Sequence, residues 1–203
     1  MVVVPRDQAC CGALHLHAGR LDDFRAMGRR LMPAFADVDV VVVNAAGCGS
    51  ALKEYGHWLP DDAARLFAER VRDVSEVLAA CELPLRSMAQ TVTYHDACHL
   101  AHGQKVRAQP RELLRRIPDL TLLDLVDSEL CCGSAGVYNL LEPEMAGELG
   151  RRKTARIRES GARVVTAGNP GCLMQIHQHC REAGLDVEVV HPVTLLARAL
   201  EER

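Results

Sequence analysis

The sequence predicts an α/β protein of two tandem, pseudo-symmetric modules, each with a small, mainly parallel sheet flanked by helices. One observation is that segments rich in β-branched residues alternate with amphipathic segments, as parallel strands joined by crossover helices require. A second is that the tripeptide Cys-Cys-Gly occurs twice, at residues 10–12 and 131–133. A repeated structural unit is the simplest explanation for two copies of so unusual a tripeptide.

The repeat extends beyond the tripeptide. An apolar run closed by Gly-Cys follows each copy at nearly the same interval, and it ends at Cys48 in the first half and at Cys172 in the second. A third matched pair of segments, residues 71–78 and 190–197, comes after these runs. We therefore predict a first module over residues 1–86 and a second module over residues 87–203, divided in a polar stretch that contains Pro84.

In the first module, runs of β-branched residues predict strands, and apolar residues recurring every three or four positions predict helices. The expected strands are residues 2–4 and 38–43, and the expected helices are residues 21–36, 60–68 and 74–81. Ahead of its Cys-Cys-Gly, this module lacks the strand, helix and cysteine that the second module has. The chain is therefore expected to be the carboxyl-terminal part of a longer protein.

The second module alternates strand and helix throughout. The expected strands are residues 91–94, 120–126, 163–167 and 187–190, and the expected helices are residues 110–117, 143–160, a helix from about residue 172, and 192–202. In the long helix, Met145, Leu149 and Ile157 are candidates for the inward face, and Gly161 is expected to end it. Functional groups should collect in the loops at the carboxyl ends of the parallel strands.

Composition excludes several classes of protein. Of the 203 residues, 48% are hydrophobic and 25% are charged, as in ordinary globular proteins. The apolar runs are far shorter than the roughly 20 residues that span a bilayer, and no signal-peptide pattern occurs, so a cytoplasmic chain without a transmembrane segment is expected. A net charge of -3 and few aromatic residues argue against nucleic-acid binding.

The nine cysteines predict metal binding or redox chemistry, because cytosolic thiols are kept reduced and do not form a disulfide framework. The candidate ligands follow three successive predicted strands of the second module: Cys98, Cys131, Cys132 and Cys172. Structural zinc sites usually space their ligands as Cys-x2-4-Cys, whereas neighbouring thiolates can bind different irons of one cluster. A [4Fe-4S] cluster is therefore favoured, with zinc as the alternative.

The remaining cysteines and several histidines have weaker signals. Cys10, Cys11 and Cys48 of the first module are candidates for a second, incomplete metal site. Cys81 and Cys180 lie on predicted helices without repeat partners and are expected to be ordinary core or surface thiols. Three histidines surround Cys98, namely His95, His99 and His102. Each fits either a hydrogen-bond donor beside the metal centre or an ordinary solvated or buried histidine.

Four segments, residues 9–19, 44–50, 94–100 and 130–136, carry a resemblance to a known family. They resemble the cysteine-rich domains of the heterodisulfide reductase type, and more closely those of glycolate oxidase iron-sulfur subunits. The resemblance implies electron transfer from a separate FAD subunit, which oxidises glycolate or another 2-hydroxy acid, to a quinone-type acceptor. It also implies no catalytic residue in this chain, and a peripheral position at the inner face of the membrane through partners.

The chain departs from the heterodisulfide reductase pattern at two positions. Ala51 and Gln175 stand where that pattern has a further cysteine three residues after the last one, so four-ligand binding is favoured over a five-cysteine noncubane cluster. The alternative function is a zinc-binding or metal-free scaffold module that docks the flavin subunit. Thiol-disulfide exchange by the neighbouring cysteines is less favoured, because a vicinal disulfide is a strained ring.

Overall fold

The structure, a computed structural model, describes residues 1–200. The helices are α1 (Ala13–His17), α2 (Leu21–Leu31), α3 (Ala46–Lys53), α4 (Tyr55–Trp58), α5 (Asp62–Arg70), α6 (Val74–Ala79), α7 (Ala108–Arg115), α8 (Tyr138–Leu141), α9 (Pro143–Ser160), α10 (Pro170–Glu182) and α11 (Pro192–Ala199). The strands are β1 (Val41–Val43), β2 (Val71–Asp73), β3 (Gln90–His95), β4 (Leu120–Leu123), β5 (Val164–Ala167) and β6 (Glu188–Val190). A 3-10 helix at Met32–Phe35 and a π-helical turn at His99–Gly103 complete the set.

The strands form two parallel sheets. One has two strands, β1 and β2, and the other has four strands in the order β4-β3-β5-β6. Every strand pair in both sheets is parallel, and helices connect successive strands, which confirms the predicted α/β class. Among residues 1–200, no helix has both the length and the apolar character needed to cross a bilayer.

The strand predicted at residues 2–4 is wrong. These residues form no strand, and Val2 and Val4 are 93% and 75% exposed. By its place before Cys-Cys-Gly, this segment matches β4, which is hydrogen-bonded only to β3 in the four-stranded sheet. The described first half contains no strand that matches β3. A short β-branched segment without a partner strand gains no ladder hydrogen bonds, so it stays irregular.

The strand β2 is not predicted from the sequence, which indicates only the start of a helix there. Val71 pairs in register with Val41 of β1 and is fully buried. Asp73, the last residue of β2, then caps α6. Its side chain accepts a hydrogen bond from the Ser75 backbone N–H, and the Asp73 backbone N–H donates to the Glu76 side chain. The polar residues of this segment make the strand hard to recognise in the sequence, because they end β2 and begin α6.

The long helix α9 has the predicted bounds, and Gly161 ends it in the left-handed conformation with φ 69°. Its inward face is only partly the predicted one. Ile157 is fully buried as predicted, but Met145 is 54% exposed, so that prediction is wrong. The buried residues of the helix are Ala146, Gly150, Lys153, Thr154 and Ile157. Their spacing of three and four residues defines one stripe, and Met145 lies beside it rather than on it.

Other predicted elements differ from the observed ones mainly at their ends. The strands predicted at residues 38–43 and 120–126 are shortened to β1 and β4, and the helix predicted at residues 21–36 ends as a 3-10 turn. The final helix is predicted to reach Glu202 but ends at Ala199, and residues 201–203 lie outside the described residues. Element ends are the part of a sequence pattern that periodicity constrains least.

The two halves of the chain meet where α3 and α10 begin. The Ala46 N–H donates to the Gly168 carbonyl oxygen at 2.9 Å, and the Gly47 N–H donates to Asn169 Oδ1 at 3.0 Å. The Ala46 carbonyl in turn accepts from Gln104 Nε2 at 3.0 Å in a buried position. The Gly-Cys segments of the repeat therefore lie side by side. The module boundary at residue 86 stays a prediction.

The packing of α9 predicts different effects for two substitutions. Ile157→Ala should lower the free energy of unfolding by about 2 to 5 kcal/mol, because it leaves a cavity at a fully buried position. Met145→Ala should change it by no more than about 0.5 kcal/mol, because that side chain is mainly in solvent. Urea denaturation of both variants, followed by circular dichroism, measures the difference, and equal losses would contradict this helix face.

Candidate metal centre

The predicted ligands of the second module lie at one edge of the four-stranded sheet. Strand β3 is between β4 and β5, and Cys98 follows β3 directly. Cys131 and Cys132 lie in the loop after β4, and Cys172 lies in the first turn of α10, after β5. Because the three strands are parallel, their carboxyl ends share an edge, and the loops that follow them bring distant cysteines together.

The thiols of this group are close to one another. The Cys132 and Cys172 sulfur atoms lie within 4.8 Å of each other, and Cys131 adjoins Cys132 in the chain. Cys98 is near enough to Cys131 for a charge on one to affect the other. Cys132 and Cys172 are buried, whereas Cys98 and Cys131 are half-buried. The four predicted ligands thus lie at the same sheet edge, which reaches the protein surface on one side, and their binding to one metal centre stays a prediction.

Crowding makes these thiols hard to ionise without a compensating cation. The adjoining Cys132 thiol and burial raise the pKa of Cys131 well above its ordinary value. Cys131 lowers the pKa of Cys132, but Cys172 and burial outweigh that effect and raise it to about 12. Burial, followed by the charge of Cys131, raises the pKa of Cys98. Several thiolates can coexist here only with a positive charge among them, which a bound metal provides.

Two N–H groups point at the sulfur atoms. The Gly133 backbone N–H donates to Cys131 Sγ at 3.4 Å, and Asn169 Nδ2 donates to Cys172 Sγ at 3.7 Å. Gly133 has φ 95°, and a Cβ atom there would clash with the Ala146 carbonyl oxygen. The glycine of the tripeptide is therefore required by both backbone conformation and space, and it lets the backbone amide approach the thiol.

A buried lysine fixes the loop that carries the cysteine pair. Lys153 of α9 is 1% exposed, and its ammonium group donates to the carbonyl oxygens of Asp127 at 2.6 Å and Ser128 at 3.2 Å. Burial lowers the pKa of Lys153 to about 8, and the nearby Cys132 partly counters that effect. At neutral pH the side chain remains mainly protonated. It places a positive charge close to the thiols.

His95, the last residue of β3, also faces this site. It is 1% exposed, and its Nδ1 lies 3.0 Å from the Ser128 carbonyl oxygen. One ring nitrogen of His95 and the sulfur atoms of Cys132 and Cys172 all lie within 4.8 Å of one another. Burial, followed by the charge of Lys153, lowers the pKa of His95 to about 3, so the ring is neutral at neutral pH. The sequence offers it only as one of three histidines near Cys98.

The other two histidines near Cys98 are differently placed. His99 is half-buried, with Nδ1 3.7 Å from Cys98 Sγ, and its ring lies 4.9 Å from that of His17 in the first half. His102 is exposed, and its ring nitrogens face Arg107 and Glu129. His95 differs from these two histidines because it is the last residue of β3, whereas the strand predicted from the sequence ends at residue 94.

The first half contains a similar but smaller group. The neighbouring Cys48 thiol raises the pKa of Cys11, and the Cys11 thiol lowers that of Cys48. The Gly12 N–H donates to Cys10 Sγ at 3.5 Å, with Gly12 at φ 77°. The same glycine conformation and the same N–H contact to sulfur thus occur in both tripeptides.

The remaining two cysteines are apart from these groups. Cys81 is exposed at the end of α6, where its thiol donates to the Val77 carbonyl oxygen at 3.4 Å. Cys180 is 2% exposed on α10, and its sulfur lies 4.0 Å from Thr154 Oγ1. One is a surface thiol and the other a core thiol, in line with their lack of repeat partners.

The sequence matches a family model described as "CCG: Cysteine-rich domain" over residues 1–53 and 92–177. The chain belongs to this family. Seven of its nine cysteines lie within the two matched ranges, and Cys81 and Cys180 lie outside them. The family's match thus separates the cysteines in the same way as the structure does.

Relatives of known name cover nearly the whole chain. A protein of Bacillus subtilis named "Probable glycolate oxidase iron-sulfur subunit" is 37% identical over 98% of this chain and 48% of its own length. One subunit of the "Fumarate reductase (CoM/CoB)" of Methanothermobacter marburgensis is 34% identical over 99% of this chain and 40% of its own. "Lactate utilization protein A" of Oceanobacillus iheyensis is 30% identical over 95% and 82%.

These relatives confirm the resemblance predicted from the cysteine segments. The chain spans about half the length, or less, of the first two of them. Their names also differ in the substrate, which is glycolate for one and fumarate for another.

The tight space around Gly133 predicts an effect on stability. Gly133→Ala should cost about 1 to 3 kcal/mol more than Gly184→Ala, since the added methyl group meets the Ala146 carbonyl oxygen as well as the strain of a positive φ. Gly184 also has positive φ, but among the described residues no atom lies within 4 Å of the place its new methyl group would take. Strain alone, of about 1 to 2 kcal/mol, is expected there. Chemical denaturation of the two variants compares them, and equal costs would argue against this loop conformation.

Proposed function

We propose that this chain is the cysteine-rich part of an iron-sulfur electron-transfer subunit in a glycolate-type 2-hydroxy acid oxidoreductase. The observation that carries the proposal is the gathering of four thiols, from Cys98, Cys131, Cys132 and Cys172, at one sheet edge. A donor set of sulfur atoms suits a metal that moves electrons. The names of the Bacillus and Oceanobacillus relatives support the same class of reaction.

The residues of the site fit an iron-sulfur cluster of the [4Fe-4S] type, which supplies one-electron redox chemistry when it is bound. Four cysteines provide the usual number of thiolate ligands, and adjacent thiolates such as Cys131 and Cys132 can serve different irons. The N–H groups of Gly133 and Asn169 donate to sulfur, and Lys153 contributes positive charge. In this chain these groups favour the ionised thiols that such ligation needs.

The three thiols of the first half, Cys10, Cys11 and Cys48, are proposed as part of a second site. Their arrangement repeats that of the second half, including the N–H contact from Gly12 to sulfur. The counterpart of Cys98 does not occur in the described first half. Three thiolates leave one ligand position of a four-ligand centre to another group, and in this proposal the two modules of residues 1–86 and 87–203 differ in that respect.

The partner that delivers electrons is proposed to be a subunit that carries FAD, and the acceptor a quinone-type compound. Half-buried Cys98 and Cys131 would place a bound centre near the surface, where a partner can approach. Three exposed apolar side chains lie on the helices that follow the ligand residues: Leu140, Leu141 and Met174. In this proposal the partner covers these side chains, because burial of apolar surface favours protein association. Any association with the membrane is proposed to occur through these partners.

One observation favours a second candidate, a zinc-binding scaffold. A nitrogen of His95 and the sulfurs of Cys132 and Cys172 lie within 4.8 Å of one another, which suits ligands around a single ion. In that case the chain would dock the flavin subunit without carrying electrons. Metal identity separates the two functions, because zinc is redox-inactive and colourless.

Anaerobic reconstitution of the 203-residue chain with iron and sulfide is the deciding experiment. The proposal expects a brown protein that contains iron and sulfide in similar amounts and is reversibly bleached by reduction. Stoichiometric zinc that resists replacement by iron would favour the scaffold function. Absence of both metals after anaerobic reconstitution, with all thiols titrating as free, would contradict both candidates.

Two equally buried cysteines, one a proposed ligand and the other not, provide a matched test of the ligand assignment. Cys132 and Cys180 are each 2% exposed, so replacement by serine buries a hydroxyl group to the same degree in both. Cys132→Ser should remove most of the bound iron, because it removes a ligand, whereas Cys180→Ser should retain it. Iron and sulfide assays after reconstitution measure the effect. Equal loss in both variants would mean that general destabilisation, and not ligation, sets the metal content.

Lys153 should affect the reduction potential of the bound centre. Reduction adds negative charge, which a buried ammonium group stabilises, so Lys153→Met should lower the potential. The adjacent Arg152→Met is the control, because Arg152 is exposed and paired with Glu148 on the surface. Redox titration of both variants gives the comparison. A potential unchanged in Lys153→Met would show that its charge does not reach the centre.

A further inference from the structure

A histidine outside the predicted ligand set has the features of a metal ligand. His95 is 1% exposed at the carboxyl end of the central strand β3, among the thiols described above. Its Nε2 atom has no hydrogen-bond partner anywhere in residues 1–200. A buried polar atom without a partner costs on the order of 1 to 3 kcal/mol, so its retention calls for an explanation.

The hydrogen bond on the other ring nitrogen determines what Nε2 can do. Nδ1 lies 3.0 Å from the Ser128 carbonyl oxygen, and a carbonyl only accepts, so Nδ1 carries the ring proton. In the neutral ring, Nε2 then has a free lone pair and no hydrogen. It can accept a proton or bind a metal, but it cannot donate to sulfur.

The carbonyl that orients the ring is itself held in place. The Ser128 oxygen also accepts from the Asp96 backbone N–H at 3.1 Å and from Lys153 Nζ at 3.2 Å. Three donors from two parts of the fold therefore fix one acceptor, and that acceptor fixes the ring of His95. A backbone carbonyl that accepts from the second ring nitrogen is the usual support of a metal-bound histidine.

A second histidine, half-buried His191, shows that a buried nitrogen without a partner would not by itself be sufficient. His191 also has Nε2 without a partner within the described chain, but its Nδ1 accepts from the Val193 N–H, so Nε2 is the protonated nitrogen. It caps α11, and no pair of thiols from residues 1–200 lies beside it. Of these two histidines, only His95 has both an Nε2 without a hydrogen and a ring nitrogen within 4.8 Å of two sulfur atoms.

We infer that Nε2 of His95 is a direct ligand of the metal centre that Cys132 and Cys172 also bind. The inference rests on the proposed function only in requiring that this site holds a metal. It makes the donor set mixed, with one neutral imidazole among the thiolates. A neutral imidazole that takes the place of a thiolate makes the centre less negative, and in iron-sulfur proteins such a replacement raises the reduction potential.

Nitrogen hyperfine coupling tests the assignment directly. The 203-residue chain is prepared with its histidine rings labelled with ¹⁵N, reconstituted anaerobically and reduced to its paramagnetic state, and then studied by pulsed electron paramagnetic resonance. We expect strong coupling to one imidazole nitrogen. Absence of that coupling in protein that contains iron and sulfide would overturn the inference, and it would leave the proposed function standing.

A pair of variants identifies the histidine. His95→Asn keeps an N–H group able to reach the Ser128 oxygen but has no atom at the Nε2 position, so the coupling should disappear. His99→Asn is the matched control, because His99 is also close to a thiol, with Nδ1 3.7 Å from Cys98 Sγ. The coupling should persist in that variant. Loss in His99→Asn and persistence in His95→Asn would contradict the assignment.

A measurement without iron covers the case in which no cluster assembles. Titration of the metal-free chain with Co²⁺, followed by its sulfur-to-cobalt absorption, should show at least about tenfold weaker binding in His95→Asn than in wild type or His99→Asn. Equal affinities would overturn the inference. Weaker cobalt binding together with failure to bind iron would support His95 as a ligand while contradicting the iron-sulfur function.

Discussion

The parallel pairing of β3 with β4 and β5 is the constraint on which the site depends. Cys98, Cys131 and Cys172 are far apart in the sequence, and the feature they share is that each follows one of these strands. Parallel strands end at a common edge, so the loops after them necessarily meet. Every further property of the site, including the crowded thiols and the inward ring of His95, follows from that edge.

Electrostatics then separates this edge from an ordinary cluster of buried cysteines. Cys132 raises the pKa of Cys131, and Cys172 raises that of Cys132, while Lys153 and the N–H of Gly133 favour the ionised forms. Such opposed influences are costly in a protein that only needs to fill its core. They are balanced when a cation is bound among the sulfurs, which is why we regard the group as a site rather than as packing.

Much of this arrangement could be predicted from the sequence, because repetition and periodicity act over long segments. The bounds of α9 and the grouping of the cysteines with the strand ends came from such patterns. Residues 2–4 have strand composition but no partner, and composition carries no information about partners. The strand β2 is only three residues long and ends at Asp73, which caps the next helix. Such a segment is too short for the alternating hydrophobic pattern of a strand to be recognised. The orientation of the His95 side chain depends on strand register and on the Ser128 carbonyl, and neither can be inferred from the residues next to His95 in the sequence.

The hydrogen bonds that join the beginnings of α3 and α10 also affect the separation between the two groups of cysteines. The amides of Ala46 and Gly47 are bonded to Gly168 and Asn169, only a few residues from Cys48 on one side and from Cys172 on the other. A hinge between the halves would have to break these bonds beside the thiols themselves. The separation between the two groups of cysteines is therefore held by hydrogen bonds within a few residues of Cys48 and Cys172.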